Sequence, residues 1–436
     1  MESEAAMNYE TAFRSYLAKR IEQIEAADIV VGIPCYNNES TIANVIKQVS
    51  SGLAKHYKSA RSVILISDGG STDDTREVAR EQAIMPWQEK IIFIYRGIAG
   101  KGTAFRAIFE AVEKLGVRAC AVVDADLRSI TPEWVKYLLE PVLDKDYQFV
   151  APIYSRYKYD GTITNNVVYN LTRALYGKRV RQPIGGDFGL SHDTVSSYIR
   201  QNVWMTDVAR FGIDIWMTTH AITHGFRICQ ANLGVKVHDP KDPASSLGPM
   251  FRQVVWTLFT LMEQNAEIWK KVRGSEPVET FGLTEFSEPE PIEVNLDLLI
   301  YNYKLGFQHF GTLWKELLSP PCYETLRRLA SAETKDFLFP VDSWAKVLYE
   351  LAATFHHWPK NRAKLIDVIS PLYHGRVASF VNQTAKMKSV EAEQVVEEQA
   401  EVFEREKDYL LKVWEREGKE PEEKGFFQKV LQGWRP

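Results

Sequence analysis

From residue 28 onward the chain repeats one pattern: a short apolar run, a polar turn, then an amphipathic stretch. The runs at 29–33, 63–66, 91–95 and 119–123 contain no charged residue. They lack the alternation of a half-exposed strand and read as strands buried on both faces. Between them, 41–53, 72–83 and 102–115 place apolar residues at helical spacing. Strands alternating with helices predict an α/β fold with a parallel, doubly wound sheet, whose ligands bind at the carboxyl ends of the strands. The polar motifs of this chain sit at those ends. After Asp126 the pattern loosens into a helix at 132–143, a strand at 148–154, helices at 165–176 and 212–224, and a strand at 226–237. This half is read as shaping an acceptor side.

A long aromatic helix at 248–272 runs into 274–294, a stretch rich in Pro, Glu and Ser that reads as a linker. Beyond it the chain reads as all-helical, with Tyr303, Phe307, Phe310, Trp314 and Leu317 on one apolar stripe and a charged stretch at 391–417. Packing, or contact within a homodimer, is the plainest role for this region. The expected organisation is an N-terminal helical extension (1–27), an α/β domain (28–273, with halves 28–126 and 127–273), a linker (274–294) and a helical C-terminal region (295–436). A chain of 436 residues with a 45% hydrophobic share can bury cores of that size.

The formal net charge of -4 argues against coating nucleic acid, which needs a basic face to neutralise phosphates. Cys35, Cys120, Cys229 and Cys322 form no CxxC pair. Neither a zinc knuckle nor a disulfide framework is indicated, and a reducing cytoplasm fits. The polar N-terminal stretch lacks the apolar core of a signal peptide. No run approaches the roughly 20 apolar residues of an integral membrane segment.

Asp124-Ala125-Asp126 follows the fourth apolar run directly. Two carboxylates emerging there suit Mg²⁺ or Mn²⁺, which would offset charge gathering on a pyrophosphate leaving group; a helix cap or solvated turn is the alternative. The first strand ends in Gly32-Ile33-Pro34-Cys35-Tyr36-Asn37-Asn38-Glu39-Ser40, where a proline turn brings polar side chains and an aromatic ring to a nucleobase. The second ends in Ser67-Asp68-Gly69-Gly70-Ser71-Thr72-Asp73-Asp74-Thr75, with Asp68 offered to base or ribose and Asp73 and Asp74 suited to a helix N-terminus. The third leads to Gly97-Ile98-Ala99-Gly100-Lys101-Gly102-Thr103, which resembles a phosphate-binding turn but fails the Walker A spacing. His220 and His224 lie one helical turn apart without an HExxH pattern and read as packing. His238 ends a strand and precedes a proline-containing loop, a place from which it can complete a carboxylate metal site.

Together these motifs resemble the donor half of family-2-like GT-A glycosyltransferases. A downstream series is similar to the glucosyl-3-phosphoglycerate synthases and the related mannosylglycerate synthases: Gln182-Pro183-Ile184-Gly185-Gly186-Asp187, Phe211-Gly212-Ile213-Asp214-Ile215, Asn232-Leu233-Gly234-Val235-Lys236-Val237-His238 and Leu247-Gly248-Pro249-Met250-Phe251-Arg252-Gln253-Val254. The resemblance spans 28–258. It implies a GT-A, Rossmann-like, mostly parallel sheet flanked by helices. It also implies transfer of glucose or mannose from a UDP- or GDP-sugar to a small acidic acceptor such as 3-phosphoglycerate or glycerate, with retention.

By the same resemblance Asp126 and His238 hold the metal with the donor diphosphate, and Asp124 contacts the ribose or the metal shell. Pro34, Tyr36, Asn37, Glu39, Asp68, Gly100, Lys101 and Ala125 join Asp124 around the donor. Asp187 and Asp214 face the transferred sugar, binding its hydroxyls or supplying a base. One segment departs: where the family carries a Gly-Gly-Arg-Val-Thr-type sequence, this chain reads Asp160-Gly161-Thr162-Ile163-Thr164-Asn165-Asn166-Val167-Val168. Lys158, Thr164, Asn165 and Arg173 nearby, with Gly185, Gly186 and Arg252, are the candidates for the acceptor; capping of the helix near Asn165 is the simpler role for half of the first group. Two rival readings stand. One is an inverting transferase acting on polyprenyl phosphate, favoured if the apolar face of 254–269 is exposed. The other is a non-catalytic sugar-nucleotide-binding scaffold, against which Asp124, Asp126 and His238 count.

Overall fold

The computed structural model describes residues 10–238, 244, 247–284, 289–358 and 360–416. Each charge-free run becomes a strand with its flanks: β1 (Ile29–Cys35), β2 (Ser62–Asp68), β3 (Glu89–Ile94) and β4 (Ala119–Val122). They are joined by β5 (Phe149–Ser155), β6 (Phe188–Ser191), β7 (Ile228–Val235) and β8 (Glu279–Gly282). The order across the sheet is β8-β7-β5-β6-β4-β1-β2-β3. All neighbours run parallel except β6, which is antiparallel to both β4 and β5. This is the mostly parallel, helix-flanked sheet of the GT-A fold.

The helices labelled here are α1 (Ser15–Ile24), α2 (Ile42–His56), α3 (Thr75–Glu81), α4 (Lys101–Leu115), α5 (Pro132–Asp144), α6 (His192–Ile199) and α7 (Ile213–Thr223). Alternate residues of β1, Ile29, Val31 and Ile33, form one core with Ile42, Val45, Ile46, Val49 and Leu53 of α2 and with Trp134, Val135, Leu138 and Leu139 of α5. On the other face α4 comes down on Gly32, where a Cβ would lie 2.6 Å from Ile108 Cδ1. The chain winds outward through β1, β2 and β3, then returns to β4 on the far side of β1. That reversal opens a crevice at the carboxyl ends of β1 and β4, where ligands bind in open α/β sheets.

Three elements differ from the sequence expectation. β6 has only four residues, too short a run to show a period beside the Gly185-Gly186 pair. β8 lies inside the expected linker, yet Glu279 to Gly282 pair residue by residue with Cys229 to Asn232; this edge strand has no apolar run to announce it. The expected helix at 165–176 opens with a π-helical turn, Thr164–Val168, before becoming α-helical over Tyr169–Tyr176.

The chain divides into two compact units that interleave in sequence. The first, Met1–Ser155, Val180–Asp239 and Pro277–Pro289, holds the eight-stranded sheet; the second is Arg156–Arg179, Pro240–Glu276 and Glu290–Pro436. The consecutive division expected from the sequence put 156–179 and 240–273 with the sheet. Their bonds within the second unit explain the difference. Lys158 donates to the carbonyls of Thr384 (2.8 Å), Ala385 (3.2 Å) and Met387 (2.7 Å), and Arg173 pairs with Glu397 at 2.7 Å and also with Glu404.

Within the second unit the aromatic stripe is core: Tyr303, Phe310 and Trp314 are buried on helix Leu296–Leu317. That helix meets Arg362–Thr384 where Gly306 and Gly375 leave space for Pro371 and Tyr303. Helix Gly248–Gln264 also buries its apolar face, through Phe251, Val254, Val255, Leu258, Phe259 and Met262. The exposed apolar face that would have favoured a polyprenyl acceptor is therefore packed. Among the described residues no helix is long and apolar enough to cross a membrane.

Candidate active site

The loops after β1 and β2 are knitted together by their own polar side chains. Asn37 N–H donates to Ser71 Oγ (2.9 Å), Asn37 Oδ1 accepts from Thr72 N–H (2.9 Å), and Asn38 N–H donates to Thr75 Oγ1 (2.7 Å). Glu39 accepts from Asp74 N–H at 3.1 Å, while Asp73 accepts from the N–H groups of Glu39 and Thr75. Asp68 is 0% exposed; it accepts from Gly70 N–H (2.9 Å), from the N–H and hydroxyl of Ser71, and lies 3.6 Å from Arg76. Asn37, Glu39 and Asp68, expected at the donor, thus have their oxygens engaged in holding the loops. Pro34 is buried within β1, and Ala125 offers its carbonyl to Thr41 Oγ1 at 2.7 Å. What the loops do present is Tyr36, 60% exposed, its ring laid against Gly69.

The turn before α4 is also committed. Gly100 N–H donates to Tyr95 Oη (2.9 Å) and Gly102 N–H to Arg210 O (3.2 Å), and a Cβ on Gly102 would overlap Val208 O. Backbone at 208–210 therefore covers this helix start, and the amides of Gly100 and Gly102 are not open to a phosphate. The turn's offering to an anion is Lys101. Its ammonium lies 2.8 Å from Asp124 Oδ1 and 3.3 Å from Asp214 Oδ2, with 16% of the side chain exposed.

Asp124 is held on its other side by Lys236. Lys236 Nζ donates to Asp124 Oδ2 (3.0 Å), Asp187 Oδ2 (2.9 Å) and Gly185 O (2.9 Å). Asp187, fully buried, also accepts from Asp124 N–H (2.8 Å) and from the Tyr154 hydroxyl. Burial opposes charge on all of these groups, but the partners decide the outcome for two. Burial alone would lower the Lys101 ammonium, yet Asp124 and Asp214 hold it above its ordinary value. Burial alone would raise Asp124, yet Lys101 and Lys236 hold it well below. For Asp187 and Asp214 burial prevails and raises the carboxyl, against the pull of Lys236 and Lys101 respectively. Asp214 Oδ1 is buried and has no hydrogen-bond partner among the described residues.

Asp126, two residues on, is the contrast. It is half-exposed and makes no hydrogen bond or ion pair with another described residue. Its turn is tied to the segment ending in His238: Arg128 N–H donates to Val237 O (2.9 Å), Arg128 Nη2 to His238 O (3.4 Å), and Val237 N–H to Ser129 Oγ (2.9 Å). Among the described residues no three His, Cys, Asp or Glu side chains come together in a metal-holding group. The expected triad of Asp124, Asp126 and His238 is thus not assembled, because both Asp124 oxygens are taken by lysines.

Residues 30–201 match the family model described as glycosyl transferase family 2. That stretch, under half of the chain, is similar to a family 2 glycosyltransferase domain. Among solved structures, it is similar to glucosyl-3-phosphoglycerate synthase from Mycobacterium tuberculosis in complex with Mg²⁺ and uridine diphosphate, at 26% identity over 55% of this chain and 83% of that one, with a TM-score of 0.44. The same enzyme with Mn²⁺, UDP-glucose and phosphoglyceric acid gives 25% identity, coverages of 58% and 86%, and a TM-score of 0.43. Among curated proteins no relative matches.

The glycosyltransferase's expected acceptor residues fall in both units. Lys158 caps the end of helix Arg362–Thr384, and Asn165 Oδ1/Nδ2 and backbone are buried, the backbone carbonyl accepting from Gln399 at 2.6 Å. Thr164 is buried in the π-helical turn, Arg173 is engaged by glutamates, and Arg252 pairs with Asp367 at 2.8 Å. Gly185 and Gly186 serve the lysine network instead: Gly185 supplies a carbonyl to Lys236, and a Cβ on Gly186 would overlap Asp124 Oδ2. Gly186 also has φ +94°, which side-chain-bearing residues rarely adopt. Gly186→Ala is therefore expected to destabilise the glycosyltransferase by about 2 kcal/mol and to push Asp124 off Lys236; chemical denaturation and donor titration of the variant would read both effects. Lys236 and Tyr154 were not among the expected site residues. The signal was a lysine at the end of an apolar strand, two residues before His238.

Proposed function

We propose that the protein is a metal-dependent hexosyltransferase that moves glucose or mannose from a nucleoside-diphosphate sugar to a small acidic acceptor such as 3-phosphoglycerate or glycerate. The observation that carries this reading is Asp126: a carboxylate without a partner among the described residues, on a turn hydrogen-bonded to the His238 segment, at the crevice between β1 and β4. A carboxylate oxygen and an imidazole suit Mg²⁺ or Mn²⁺ when diphosphate oxygens complete the shell. Bound there, the cation would supply Lewis-acid charge to the departing diphosphate.

The chain's own groups divide the remaining work. Tyr36 offers an exposed ring for the nucleobase. Lys101 brings a firmly protonated ammonium to the diphosphate side of the crevice. Asp214 Oδ1, buried and unpartnered, would accept a hydrogen bond from a sugar hydroxyl, which also relieves the penalty of leaving it unpaired. Asp187, with its oxygens already bonded, acts as a positioning residue rather than as a base. The acceptor class and transfer with retention rest on the motif series of 182–254. Four buried free cysteines support a reducing, cytoplasmic setting.

The test is calorimetric titration with a panel of UDP- and GDP-sugars, with and without Mn²⁺, followed by product detection with 3-phosphoglycerate and glycerate. Expected are binding that requires the metal and a new glycoside with one donor and acceptor pair. No binding by any sugar nucleotide would overturn the proposal.

A further inference from the structure

The lysine network contains two cations of different standing. Lys101 is partly open, whereas the Lys236 side chain is 3% exposed. Lys236 Nζ has three protons and three acceptors, Asp124 Oδ2, Asp187 Oδ2 and Gly185 O. It has no donor left for a substrate, so any influence on the reaction passes through the groups it holds, and of these Asp124 is the one that also meets Lys101. Asp124 is fixed twice, by its backbone N–H on Asp187 and by Oδ2 on Lys236. That leaves Oδ1, which Lys101 Nζ pairs with at 2.8 Å.

We propose that Lys236 is a positioning residue for sugar transfer: through Asp124 it sets where the Lys101 ammonium stands, so that the outer lysine meets the leaving diphosphate. This rests on the donor-site reading above. Asp124 is in this arrangement a carboxylate bridge between an inner and an outer lysine. Asp187 and Gly186 belong to the same device, the first as the second anchor of Lys236, the second by lacking the Cβ that would displace Asp124 Oδ2.

Charge on the leaving diphosphate is greater in the transition state than in the bound donor. Misplacing Lys101 therefore lowers kcat more than it raises the donor KM. Lys236→Met is expected to lower kcat at least tenfold with donor KM changed less than threefold. Lys236→Arg, which keeps a buried cation between the same carboxylates, is expected to recover part of the loss, and it serves as the test variant should Lys236→Met fail to fold. A folded Lys236→Met enzyme with kcat within twofold of wild type would overturn the proposal, as would a fall confined to KM.

A second measurement separates this claim from the donor-site reading. In thermal unfolding, Lys236→Met and Asp124→Asn are expected to lower the midpoint singly, and their double variant to lose less than the two losses added together. Strictly additive losses would remove the bridge even in an active enzyme. Sub-additive losses in a wild-type protein that forms no glycoside would keep the bridge and reject the transfer reading, and with it the proposed role in catalysis.

Discussion

Asp126→Ala is expected to weaken Mn²⁺-dependent binding of the donor nucleotide by about 100-fold or more and to abolish detectable transfer. The thermal midpoint should stay within about 2 °C of wild type. The two halves of that result have separate causes. Asp126 is half-exposed and has no partner among the described residues, so its removal leaves no buried group unpaired and falls in the class of nearly neutral surface changes. In the proposed metal site its loss would leave His238 as a single protein ligand, and one imidazole with diphosphate oxygens holds a hard cation poorly. Asp124→Ala should behave differently, because Lys101 and Lys236 would both lose a carboxylate in a poorly hydrated place, and a stability loss of about 3 kcal/mol is expected. Calorimetric donor titration and thermal unfolding of both variants give the comparison. Unchanged donor affinity in Asp126→Ala would take this residue out of the metal site.

The contrast between these two aspartates shows what a sequence can and cannot convey. Both follow the same apolar run, and spacing alone gave them one role. Their difference comes from Lys101, at the start of α4, and from Lys236, past the end of β7, which fold against one of them and leave the other open. A lysine is ordinarily solvent-exposed, so its place at the end of an apolar strand is too weak a sign to mark Lys236 as a buried counter-ion. The strands β1 to β4 were legible because burial on both faces leaves an uninterrupted apolar run, a local property. β6 and β8 were not, since each is four residues long and is defined by partners 39 or more positions away. The sequence offered the loops after β1 and β2 for a donor, but it could not tell side chains that hold a loop from side chains that meet a ligand: Asn37, Glu39 and Asp68 all accept from loop backbone. Lys158 likewise has the chemistry of an anion ligand, and only the distant carbonyls of Thr384, Ala385 and Met387 give it a different task.

Between pH 7 and pH 4.5 the protein is expected to lose stability, and His220 should account for about 2 to 3 kcal/mol of the loss. His220 was read as a packing histidine, and it is packed: its ring is stacked on His224 at 3.6 Å and surrounded by Tyr198 and Trp216, with Nε2 bonded to Ser197 Oγ at 2.8 Å. Burial in that aromatic cluster, with the neighbouring His224 adding to it, lowers its pKa from 6.5 to about 4. The direction of the effect follows. Below about pH 6.5 the unfolded chain binds a proton here, and the folded chain does not until about pH 4, so acid favours unfolding. The contribution is fully present above the ordinary value and is lost as pH falls toward the folded one, at about 1.4 kcal/mol per unit. His220→Phe keeps a ring in the stack and removes the proton site. Carboxylates elsewhere make both proteins less stable in acid, so the informative quantity is the difference in slope. Denaturant unfolding at the two pH values should show the variant losing about 2 to 3 kcal/mol less than wild type, whatever its stability at pH 7. Equal losses in the two proteins would mean that His220 takes up its proton in the folded state as readily as in the unfolded chain, and that the stack with His224 opens to admit it.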